Sequence, residues 1–222
     1  LLKRIERPNT NAGWVAMSAD GSSYVWAVAE RIFLHARNLI VSHDQGRTFR
    51  RSAVLDMQGQ TVEGMMKPLA DRCMPNVFYG FGDKGEIYVS TDSGDTFRQK
   101  AAPKDFPAVH FGKVDCADQT EIRVTAGEPG VIYTATGEAG SPGGGLWKLR
   151  YDAAADEFTG KRLTKADDKA FCVGLGLGRP GGNYAAEAKA LYFAGNVGGM
   201  YGFWRSFDEC ATVAVSYTHL RA

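Results

Sequence analysis

Short apolar runs separated by clusters of Gly, Asn, Asp and Ser recur along the whole chain. The clearest occupy residues 24–29, 38–41, 76–81, 86–89, 131–136, 145–149, 190–194 and 200–204. Runs of this length, rich in Val, Ile, Tyr, Phe and Trp and bounded by turn residues, predict β-strands. No stretch carries the 3.6-residue period of an amphipathic helix, which excludes a helical solenoid. The pattern predicts an all-β chain.

The strands belong to a repeat. Ser42-His43-Asp44-Gln45-Gly46-Arg47-Thr48-Phe49 returns as Ser90-Thr91-Asp92-Ser93-Gly94-Asp95-Thr96-Phe97. A degraded copy, Ser206-Phe207-Asp208-Glu209-Cys210-Ala211-Thr212-Val213, has Cys for Gly and Val for the aromatic. A fourth copy is read at Gly145-Leu146-Trp147 leading to Asp152 and Phe158, its turn lengthened by residues 153–157. Units of roughly 40 to 60 residues, each with about four short strands and turn signals between them, are the sequence form of propeller blades. Blades are accordingly expected at about 12–53, 62–102, 119–164 and 168–213. The octet is the Asp-box, and its chemistry is local. The carboxylate accepts backbone N–H groups of a tight hairpin, Gly takes a positive φ, hydroxyls cap what is left, and the aromatic packs between strands. Because Asp44, Asp92 and Asp208 recur at equivalent turns, they read as structural, together with Ser42, Gly46, Thr48, Phe49, Ser90, Gly94, Thr96, Phe97, Ser206 and Thr212.

Composition narrows the function classes. With 26 Lys+Arg against 25 Asp+Glu the formal charge is +1, which argues against a nucleic acid or an anionic membrane held by charge. Glycine is high, at 27 of 222 residues, in keeping with many tight turns. No apolar run is long enough for a transmembrane helix. Leu1 opens the chain with neither an initiator Met nor a signal-peptide pattern, so the segment reads as an internal piece of something longer. Cys73, Cys116, Cys172 and Cys210 show no metal-ligand spacing, so no metal or cofactor is expected, and Cys172 reads as an ordinary buried residue of the apolar run 171–177.

Few residues offer catalytic chemistry. His35, His43 and His110 are isolated in sequence from one another and from acidic or cysteine partners, and read as loop histidines. The alternating glycines Gly174, Gly176 and Gly178 precede no helical pattern and read as a strand, not a dinucleotide loop. Flat aromatic rings stack on the apolar faces of sugars, which makes Trp147, Tyr201 and Trp204 candidate substrate-binding residues. Strand alternation around 201–204 favours a core role for them, and Trp26 is expected in the core as well.

Between the boxes, Val15-Ala16-Met17-Ser18-Ala19-Asp20-Gly21, Val25-Trp26 and Ala70-Asp71-Arg72-Cys73-Met74-Pro75-Asn76-Val77-Phe78-Tyr79 resemble the C-terminal propeller of the glycoside hydrolases of family 74. The resemblance continues through 85–97, 173–184 and 190–199 in one order. It implies about four blades of a seven-bladed propeller from a secreted, extracellular or periplasmic enzyme. Such enzymes cleave the β-1,4-glucan backbone of xyloglucan or a related plant polysaccharide in a cleft between two propellers. It further implies an inverting pair of aspartates, one protonated and one activating water, both upstream of this chain. No residue here matches either motif, so no catalytic role falls on Asp20, Asp71 or Asp83. The chain departs from the family at 138–144 and 152–157, where its loops are not given by the resemblance. A non-catalytic Asp-box propeller binding protein or glycan, like the sortilin-like receptors, is the alternative. A sialidase fits less well, since no arginine cluster with a Tyr/Glu pair is found. Finally, residues 215–222 resemble the translation of a sequencing-library adapter of metagenomic origin. They are excluded from the fold, with His219, and expected to pack against nothing specific.

Overall fold

Residues 12–29, 36–63, 66–82, 85–107, 120–137, 144–176 and 190–217 are described in the computed structural model, and every regular element among them is a β-strand. The all-β expectation holds. The strands form four sheets. The first holds β1 (Ala12–Met17), β2 (Tyr24–Ala29), β3 (Ala36–Ser42) and β4 (Arg50–Arg51), each antiparallel to the next. The second is built from β6 (Met66–Ala70), β7 (Phe78–Gly82), β8 (Ile87–Ser90) and β9 (Thr96–Lys100). The three-residue β5 (Ala53–Leu55) is added in parallel along β9. β10 (Glu121–Val124), β11 (Val131–Ala135), β12 (Leu146–Asp152) and β13 (Glu157–Arg162) make the third sheet. β14 (Lys169–Gly176), β15 (Ala190–Val197), β16 (Met200–Ser206) and β17 (Ala214–Tyr217) make the fourth. Apart from β5, each sheet is thus a meander whose neighbours in space are neighbours in sequence, the propeller-type arrangement.

The tail requires a correction. β17 begins at Ala214, and Val215 pairs with Trp204 and Tyr217 with Phe203. Pairing to a sheet edge uses backbone N–H and C=O groups, so residues without core-like side chains can still join it. Positions 218–222, including His219, lie outside the described residues.

The chain divides into two compact units, Leu1–Ala102 and Pro103–Ala222. In the first unit, period-2 alternation sends Ala16, Val25, Ala27, Leu39 and Val41 to one face of the first sheet, where β6 lies across β1, β2 and β3. β7 and β8 are buried along their whole length, with Phe78, Tyr79, Phe81 and Ile87 fully enclosed, as continuous apolar strands are when covered on both faces. In the second unit, Val131, Tyr133, Ala135 and Leu146 of the third sheet share one cluster with Ala170, Val173, Leu191, Phe193 and Trp204 of the fourth. Each Val, Leu or Phe side chain among them contributes roughly 1.5–3 kcal/mol when enclosed.

Candidate functional site

The octets fold into near-identical hairpin turns. In the first, Ser42 Oγ donates to Asp44 Oδ1 at 2.8 Å and accepts the Gly46 N–H at 2.8 Å. Thr48 N–H donates to Asp44 Oδ1 at 2.8 Å and Thr48 Oγ1 to Oδ2 at 2.7 Å. The second repeats it: Ser90 Oγ to Asp92 Oδ1 at 2.7 Å, Gly94 N–H to Ser90 Oγ at 2.9 Å, Thr96 N–H to Asp92 Oδ1 at 2.8 Å. So does the degraded third, with Cys210 N–H to Ser206 Oγ at 2.8 Å and Thr212 N–H to Asp208 Oδ1 at 2.9 Å. There Cys210 adopts φ 65°, where the other copies have Gly46 at 79° and Gly94 at 96°. The hydrogen-bond framework therefore carries the turn even without its glycine.

This geometry decides what the carboxylates can do. The hydrogen bonds from the Thr48 backbone and hydroxyl hold the Asp44 carboxyl down at about 2, and those from Thr212 hold Asp208 below its ordinary value. A group so held is ionised at neutral pH with its oxygens engaged inside the turn, which suits a structural anion and not a proton donor. The lengthened fourth copy uses the same device: Asp152 Oδ1 accepts the Ala154 and Ala155 N–H groups at 2.8 and 3.2 Å. Asp20 is held at about 2 by the Ser18 hydroxyl and the Ser22 backbone and hydroxyl. Asp71, fully buried, accepts the Cys73 and Met74 N–H groups and the Tyr79 hydroxyl. Asp83 lies outside the described residues.

His43 departs from the sequence expectation. Its Nε2 lies 2.9 Å from Asp95 Oδ1 and its Nδ1 lies 2.9 Å from Ser23 Oγ, while Arg50 meets the same carboxylate through Nε and Nη2. The first box turn is thereby clasped to the second. A cleft of about 210 Å³ lined by Val41, His43, Asp44, Thr48, Phe49 and Arg50 opens beside it. In the second unit, Lys148 of β12 pairs with Glu209 of the third box. His35 and His110 fall outside the described residues.

Of the three aromatic candidates, the structure exposes one. Trp147 is 3% exposed and meets Phe106 edge to face; Trp204 is 6% exposed and donates its Nε1–H to Gly195 O at 3.1 Å. Neither presents a ring to a ligand: Trp204 lies in the cluster shared with the third sheet, and Trp147 is enclosed against Phe106. Tyr201, on the opposite face of β16, is 56% exposed and stacks on Phe171 at 6.2 Å between centroids. Trp26 is half-buried against Phe49. Cys172 is exposed, contrary to expectation, since it sits on the open side of β14. Cys73 and Cys210 are free thiols, and burial pushes the Cys210 thiol up to about 12, leaving it neutral. Among the described residues no cluster of three or more His, Cys, Asp or Glu side chains could hold a metal ion.

No family model matches the chain. It is similar to a xyloglucanase from Paenibacillus sp., 30% identical over 200 residues, which covers 90% of this chain and 16% of that protein. It is 29% identical over 208 residues to Xyloglucanase Xgh74A of Acetivibrio thermocellus, covering 93% of this chain and 20% of the relative. Among solved structures, the GH74 xyloglucanase from Xanthomonas campestris superimposes with a TM-score of 0.68 at 25% identity, covering 96% of this chain and 26% of that one. The chain therefore spans a minor part of the length of the relatives it matches.

Proposed function

The chain is homologous to a stretch of the xyloglucanases of glycoside hydrolase family 74, and we propose that it is scaffold and wall of a secreted enzyme that cleaves the β-1,4-glucan backbone of xyloglucan. The observation that carries this reading is similarity that runs along nine-tenths of the chain, through the inter-box segments as well as the boxes. Asp-box turns by themselves would support only a propeller, because their chemistry closes within eight residues.

In this reading the acid and base carboxyls come from outside the 222 residues. Inverting hydrolysis needs a protonated carboxyl at the leaving oxygen and an ionised one activating water, roughly 6.5–9.5 Å apart. Asp20, Asp44, Asp71 and Asp208 each accept hydrogen bonds from their own loops, and Asp20, Asp44 and Asp208 are held in the ionised form besides. Asp20, Asp44 and Asp208 are thereby unsuited to the protonated role, and Asp71 is enclosed with both oxygens engaged by its own loop and Tyr79. The test is reducing-sugar release from tamarind-type xyloglucan by the protein encoded by the whole reading frame. Release is expected; a well-folded full product inert on xyloglucan and other β-1,4-glucans would overturn the reading.

A further inference from the structure

We draw no further inference here: the strongest candidate, the Ser23–His43–Asp95 side-chain cluster that ties the first sheet to the second box turn, has the order of a nucleophile relay but carries nothing, because Ser23 is only 2% exposed and takes no part in lining the neighbouring cleft.

Discussion

His43 Nε2 and Asp95 Oδ1 lie 2.9 Å apart although 52 positions separate them in the chain. A carboxylate only accepts, so Nε2 carries the proton, and in the neutral ring Nδ1 accepts the Ser23 hydroxyl. Partial burial pushes the Asp95 carboxyl up, but the hydrogen bonds and charges of His43 and Arg50 outweigh it and hold the group below its ordinary value. The stabilisation is thus present above the ordinary carboxylate range and is lost as pH falls through the depressed value. Asp95→Asn should cost about 1 kcal/mol at neutral pH, a modest figure because the partners are partly solvated. Urea denaturation of wild type, Asp95→Asn, His43→Gln and the double variant reads both the loss and a coupling of about 0.5 kcal/mol.

Asp44 gives a second pH signature. Its carboxyl is lowered from 3.8 to about 2 by the Thr48 hydrogen bonds, so what it contributes is complete above pH 3.8 and disappears between there and about 2. Asp44→Asn should flatten the dependence of melting temperature on pH across that window. Calorimetric scans at closely spaced pH values check it; an Asn variant with an unaltered acid limb would show that the turn does not hold the anion.

Equivalent glycines should not respond equally. Gly46 has φ 79° and room for a methyl group, the nearest atom to a built Cβ being 3.8 Å away in the Phe49 ring. Gly94 has φ 96°, and its Cβ would lie 2.4 Å from Val25 Cγ2 in the inter-sheet core. Gly46→Ala therefore meets only the left-handed backbone penalty, about 1 kcal/mol, whereas Gly94→Ala adds overpacking of about 1–3 kcal/mol. Denaturant midpoints of the two variants should rank in that order.

Neighbouring aromatics on β16 should separate as sharply. Trp204→Ala empties a core position and removes the Nε1–H bond to the Gly195 carbonyl, at about 3–5 kcal/mol. Tyr201→Ala removes an exposed ring and should stay within about 0.5 kcal/mol. Thermal denaturation of both variants checks the assignment of one to the core and the other to the open face.

These contrasts show which features the sequence could reveal. The octet chemistry closes between a residue and its fourth neighbour, so Ser42, Asp44 and Thr48 announce their hydrogen bonds without knowledge of the fold. Period-2 alternation sets Tyr201 and Trp204 on opposite faces of β16 but does not say which face is covered, and the core role expected of both holds for Trp204 and not for the exposed Tyr201. What depends on sheet-to-sheet contact is silent in the chain: Asp95 occupies the position that Arg47 holds in the first octet, and nothing local says it meets His43 and Arg50. Cys172 looked buried because its neighbours are apolar, yet only one side of β14 faces the third sheet. The parallel β5 was likewise hidden, since three residues carry no period and their pairing is fixed by the Ala53 N–H reaching the Asp95 carbonyl at 2.8 Å.

The most direct test of the functional reading compares the 222-residue chain with the protein from the whole reading frame, at equal molarity, for reducing-sugar release from xyloglucan. The full protein should be active and the chain alone inert, because in this reading both the general acid and the general base lie outside the chain and neither proton transfer is assisted by it. Hydrolysis by the chain alone, abolished by Asp20→Asn or Asp71→Asn, would place the catalytic carboxyls inside these four sheets and contradict that reading.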